Sequence, residues 1–197
     1  ASNTSVGKSA MGAATEGDNN TGLGSGALGS LTTGSQNTAV GTSAGGGTTA
    51  SNNTSVGYAA LTANTTGANN IAVGYAALDA NTTASNNVAM GYAALSSNQT
   101  GTGLTAVGHQ ALENSTGSHN TAFGSNALGL NTSGEYNIAV GENCLDANTT
   151  GNFNVGVGRS ALGACTTGTD HVAMGINALG GEVTGIGNTA IGTNALE

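Results

Sequence analysis

The chain has 197 residues, with 35 Gly, no Pro, no Trp, two Phe and four Tyr, and ten Asp or Glu against two Lys or Arg give a net charge of −8. Lys8 and Arg159 are too few to neutralise phosphates, which excludes a basic nucleic-acid binder. The absence of Pro and of a Gly every third residue excludes collagen, and so few aromatics exclude a conventional large core. At 37% hydrophobic and 6% charged, the chain has apolar surface to bury and little self-repulsion, unlike a disordered segment. No run approaches the roughly 18 apolar residues of a membrane-spanning helix.

An internal repeat accounts for the whole chain. A glycine that follows an apolar residue recurs at Gly7, Gly24, Gly41, Gly57, Gly74, Gly91, Gly108, Gly124, Gly141, Gly158, Gly175 and Gly192, at spacings of 16 or 17. A unit this short is one coil of a solenoid. The expected fold is all-β: a parallel β-solenoid or β-roll of about twelve coils, a single array over residues 1–197. Taking the glycine as position 0, each coil begins with a strand-like triplet. Position −3 is β-branched (Thr4, Thr21, Thr38 through Val172 and Thr189). Position −2 is Ala, Gly or Ser, and position −1 is apolar (Val6, Leu23, Val40 through Met174 and Ile191). That alternation is strand periodicity.

A second strand-like patch follows. Position +3 is Ala except at Cys144, and +4 is Leu except at Met11 and Gly45. Next comes a turn-rich stretch such as Asn64-Thr65-Thr66-Gly67. Position −4 is Asn except at Leu104 and His171, and Asn and Gly are read as the corners because they tolerate positive φ. Stacking twelve coils at about 4.8 Å gives a rod of about 53 Å with identical residues in ladders. Pro is absent because nearly every N–H is needed between coils, and charge is scarce because like charges stacked at that spacing repel.

A roll of about 17 residues per turn is thin, and the −3 and −1 columns are read as its interior. Small residues on an outward face permit close approach by another surface. The Leu column adds an apolar stripe, which reads as an association surface. The expectation is three parallel copies round a common axis with Leu and Ala buried between chains. The alternative is a monomer whose Leu column fills its own core.

Asn70-Ile71-Ala72-Val73-Gly74 and Asn120-Thr121-Ala122-Phe123-Gly124, each followed by a Leu-bearing patch, resemble two groups over the full chain. One is the head repeat of trimeric autotransporter adhesins, of which YadA is the type. The other is the repeat array of phage tail fibres that end in an intramolecular chaperone. The resemblance implies a left-handed β-roll, a homotrimer and an extracellular location. The extended Asn-Thr-Thr-Gly corner is closer to the phage arrays, and neither a membrane anchor nor a chaperone domain lies within these residues. The repeat-like start at Ala1-Ser2-Asn3-Thr4, without Met, and a glycine spacing of 12 on joining two copies end to end suggest a piece of a longer fibre.

Catalytic chemistry finds little support. His109, His119 and His171 occupy three different columns, and no Ser/His/Asp or Cys/His grouping recurs. Asp79, Glu113 and Asp146 share position +5, but carboxylates are not supplied coil after coil, as a Ca²⁺-binding roll requires; they read as surface groups. No cofactor, metal or enzymatic activity is expected. Cys144 and Cys165 lie in different columns, and only geometry decides whether they bridge.

Position +1 is varied and reads as exposed. Within it Tyr58, Tyr75, Tyr92 and His109 are consecutive and should form an aromatic ladder. The ladder is either a stacking platform for a glycan or other ligand, or ring-on-ring support for the coils. The resulting expectation is a structural shaft of an extracellular homotrimeric fibre, a phage tail fibre or a bacterial surface adhesin, with attachment as an added role. Two other readings remain open. One is an ice-binding solenoid presenting Thr33, Thr49, Thr66, Thr83, Thr100, Thr116, Ser133, Thr150, Thr167 and Thr184. The other is a curli-like self-assembling filament subunit, although Gln36, Gln99 and Gln110 form no common column.

Overall fold

The computed structural model describes residues 2–181 and 184–197. Each triplet is a three-residue strand: β1 Thr4–Val6, β2 Thr21–Leu23, β3 Thr38–Val40, β4 Thr54–Val56, β5 Ile71–Val73, β6 Val88–Met90, β7 Thr105–Val107, β8 Thr121–Phe123, β9 Ile138–Val140, β10 Val155–Val157, β11 Val172–Met174 and β12 Thr189–Ile191. They form one parallel sheet in chain order. The register keeps every column intact: Ile71 pairs with Val88, Ala72 with Ala89 and Val73 with Met90. The chain is therefore a parallel β-solenoid, with one coil advanced per strand.

The two faces of the strand are the reverse of the sequence expectation. From β2 onward the small middle residue is the buried one, and the flanking columns face outward. Ala72 and Ala139 are fully buried, whereas Ile71, Met90, Phe123 and Ile138 are more than 40% exposed. The physical reason lies in the next segment. Positions +1 to +6 are turns, with no second strand, and they swing the +3 Ala and +4 Leu into the roll. Leu28, Leu61, Leu78, Leu95, Leu112, Leu128, Leu145 and Leu162 are buried within one chain. Once Leu occupies the thin interior, the strand can present only Ala, Gly or Ser to it. The expected burial of Leu and Ala between chains is corrected accordingly.

The turn segment uses an uncommon backbone. Its +4 residues, from Met11 to Leu196, have φ between 48° and 56°, apart from glycine at Gly45. The left-handed region costs an L-residue about 1–2 kcal/mol, whereas burying a Leu yields about 1.5–3 kcal/mol, so burial prevails. The conformation also spends its N–H groups well. In the second coil, Ala27, Gly29 and Leu31 donate within the coil to the carbonyls of Gly24, Gly26 and Leu28. Leu28 donates forward to Ala44 (3.0 Å) and Gly26 backward to Lys8 (2.9 Å).

Position 0 must be glycine because its φ, 130° at Gly57 and 147° at Gly91, is closed to side chains, and a Cβ there would run into the carbonyl of the next coil's glycine. The core falls into two clusters, one running from Met11 to Ala44 and one from Ala60 to Ala190. The break lies where Gly45 replaces Leu and Ser55 replaces Ala. A side chain at Gly45 would meet Leu28 Cδ2, which already fills the space.

The Asn column at −4 lies inside the roll and is not a corner. Its members from Asn20 to Asn154 are buried, and Asn188 in the last coil is exposed. Each Oδ1 takes the backbone N–H of the next coil's Asn, as from Asn70 to Asn53 and from Asn87 to Asn70, both 3.0 Å. Each Nδ2 reaches a corner carbonyl 13 or 14 residues on. A second buried Asn column, at +7, donates to the same carbonyl. Gly134 O accepts from Asn120 (2.7 Å) and Asn131 (3.0 Å), and Gly151 O from Asn137 (2.8 Å) and Asn148 (3.1 Å). Both lone pairs of each such carbonyl are thus used. The positive-φ corner is position −5, occupied by Asn19, Asn52, Asn69 and Asn86 among others.

Candidate functional site

The aromatic column forms as expected. Tyr58, Tyr75, Tyr92 and His109 stack with ring centroids 5.2–5.3 Å apart and planes within 11° of parallel. The three tyrosines are about half exposed. Parallel rings this close cover one another's faces, so between neighbours the column presents edges and hydroxyl groups. The stacking bridges four successive coils and favours the reading in which rings support coils.

A second ladder escaped the sequence reading. His119, Tyr136 and Phe153 stack at 4.9 and 5.3 Å, all at position −5 and all at positive φ, 58–61°. The signal was present as a constant offset before three successive glycines, but αL is an unexpected place for aromatic side chains. The two ladders occupy opposite borders of the strand, one over β4–β7 and the other over β8–β10.

The remaining candidates are separated in space or held by the scaffold. His171 takes an Asn place in the −4 column, where Nδ1 accepts the Asn188 N–H at 3.0 Å, while its buried Nε2 has no partner. Cys144 and Cys165 are free and buried. Burial pushes the Cys144 thiol up to about 12 and also raises Cys165, so neither is a ready nucleophile. Asp79 and Asp146 are half-buried and not simple surface groups, and loss of solvent raises both above the ordinary carboxylate range. Among the described residues, no group of three or more His, Cys, Asp or Glu could hold a metal ion.

The Thr corner column, from Thr33 to Thr184, lies along bends and not on a strand. Beside it, hydroxyls such as Thr65 Oγ1 and Thr132 Oγ1 donate to the backbone of the next coil at 2.9 and 2.8 Å.

What the fold leaves uncovered is the outer face of the sheet. Its −3 and −1 columns carry no charged residue in any of the twelve coils. Val6, Leu23, Ile71, Met90, Phe123, Ile138, Val140, Met174 and Ile191 are all exposed there. Among the described residues, no helix is long and apolar enough to cross a membrane. No family model, no curated protein and no solved structure matches the chain.

Proposed function

We propose that the chain is a shaft segment of an extracellular homotrimeric fibre, of the kind found in phage tail fibres and bacterial surface adhesins, with a left-handed coil and no enzymatic activity. The observation that carries this reading is the uncharged outer face of the sheet, apolar at −1 in every coil and Thr, Val or Ile at −3. Twelve three-residue strands make a face of about 53 Å by about 10 Å, or about 500 Å². That is about the size of the largest apolar patch on a typical monomer, often a functional one, and the columns bordering the strands would have to be buried with it to reach the about 800 Å² per partner of a stable interface. A second copy has the same period and no charge to oppose contact. Three copies in parallel, as the resemblance to trimeric fibres implies, would bury these faces toward a common axis. The surface differs from the one expected from sequence, since the Leu and Ala columns are consumed within each coil.

The test is the mass of the particle in solution. The unaltered chain should run at three times the chain mass in mass photometry, and Met90→Lys with Val140→Lys should reduce it to one. Both side chains are exposed, so the β-rich circular dichroism should survive. A folded monomer for the unaltered chain would overturn the trimer. Thermal hysteresis from that monomer would favour the ice-binding reading, and thioflavin binding with concentration-dependent growth the curli-like one.

A further inference from the structure

The turn segments of the seventh to twelfth coils border an open groove that the shaft reading does not use. Its floor opens where position +5 is glycine, at Gly129, Gly163 and Gly180, where coils four to six have Thr62, Asp79 and Ser96; the first three coils share the glycine. Two cavities, of about 180 and about 400 Å³, share Asp146 as a common wall. Glu113, Asn126 and Leu130 complete the smaller, and Asn143, Ser160, Asn177 and Glu197 line the larger. A side chain at Gly163 would stand 3.5 Å from Asp146 Oδ1, so the glycine keeps the space beside the carboxylate clear.

The polar groups are fixed by the repeat. Position +2 supplies one wall as Asn126, Asn143, Ser160 and Asn177, all at the same register, whereas coils four to six have Ala59, Ala76 and Ala93 there. Asn126 Nδ2 donates to Asn143 Oδ1 at 3.3 Å, which orients that pair. Among the described residues, no side-chain hydrogen bond occupies the Ser160 hydroxyl or the Asn177 carboxamide.

The lining narrows the ligand class. No Lys or Arg borders either cavity, which disfavours an anion. No aromatic ring borders them, which disfavours a flat apolar ligand. The acids present form no three-member cation group. Carboxamides, a hydroxyl and the carboxylates of Glu113, Asp146 and Glu197 offer donors and acceptors side by side, the arrangement that matches adjacent hydroxyl groups. The groove crosses successive coils and therefore suits a chain of such units. From this geometry we propose that the groove around Asp146 binds a neutral oligosaccharide lying along the rod.

The experiment uses the whole chain with cello-, malto- and chito-oligosaccharides, a sialylated trisaccharide and Ca²⁺ alone, read by calorimetry and amide chemical shifts. Saturable binding of at least one neutral sugar is expected, with shifts at Asn143, Ser160 and Asn177. Gly163→Thr fills the floor with the residue that Thr62 already places at this register. Asn143→Ala with Asn177→Ala copies Ala76 and Ala93. Each variant should fold normally and lose about tenfold in affinity, the scale of one or two hydrogen bonds. No binding of any neutral sugar, undiminished binding by both variants, or binding of only Ca²⁺ or the sialylated sugar would overturn the proposal. The groove lies on the turn segments and not on the strands, so the particle mass reports on the fibre reading separately.

Discussion

At the scale of single residues, the buried columns show what each substitution does to its neighbours. In the +7 column, Asn148 Nδ2 donates to Asn131 Oδ1 at 2.9 Å, but the next coil has Cys165, and Asn148 Oδ1 is buried without a partner. A thiol is a weak donor, and Cys165 Sγ lies 3.9 Å from Gly168 O. Cys165→Asn should donate to both oxygens, and its own Oδ1 can take the Gly168 N–H as Asn98 takes that of Gly101 (2.9 Å). We expect a gain of about 1 kcal/mol, seen as a Tm about 2–4 °C higher by calorimetry; an unchanged or lower Tm would count against the ladder. The Asn columns were legible as columns, because identity at a constant offset is visible in the sequence. Their burial was not, because an Asn that seals a core and an Asn that turns a corner are the same letter.

At the scale of the element, the strand and the turn divide the work differently from the sequence pattern. An alternating triplet tells that two faces exist, but not which one is inside. Val and Ile suggested the interior, and only the Leu swung inward by the turn shows that the interior was already full. The signal that could have corrected this was the strict Ala, Gly or Ser at −2, a size limit more informative than hydrophobicity. The Leu conformation itself lay beyond reach, because αL is penalised for Leu and is justified only by tertiary burial. The aromatic column at +1 was read correctly because its four rings are consecutive.

The turn also carries the pH dependence. Burial raises the pKa of Asp79 and Asp146 in the folded chain, so the folded state holds protons more tightly than the unfolded one. Stability therefore falls as pH rises from the ordinary carboxylate value through the raised one. Asp79→Asn and Asp146→Asn should each stabilise the rod at neutral pH, with the advantage vanishing below pH 3.8, the unshifted value. Chemical denaturation across pH checks this, and a gain that persists in acid would contradict it.

At the scale of the whole molecule, every coil touches only its neighbours, and stability is a sum of coil terms and boundary terms. Removing one full period should therefore shorten the rod without unfolding it. Deleting residues 75–91 joins Gly74 to Tyr92 and keeps every column in register, with Tyr92 placed beside Tyr58. Deleting residues 75–82 shifts the columns out of phase. The first variant should retain the parent's circular dichroism and cooperative melting, and the second should lose both. Equal behaviour of the two would mean that the columns do not hold the structure.

The ladders bear on how such a rod would fail under load. From the fourth coil onward, backbone bonds, two Asn columns and Thr hydroxyls cross the boundaries together, so tension is shared among many parallel links and no ordinary boundary there is the first to part. The exceptions are written into the chain: Leu104 and His171 interrupt the −4 Asn column, Ser115 interrupts the +7 column and Cys165 ends it. Leu104 and Ser115 share the seventh coil, while Cys165 and His171 fall in neighbouring coils near the C-terminal end, with the orphaned atoms of Asn148 and His171 beside them. A crack in such a rod would start at one of these two places, and the orphaned atoms favour the second.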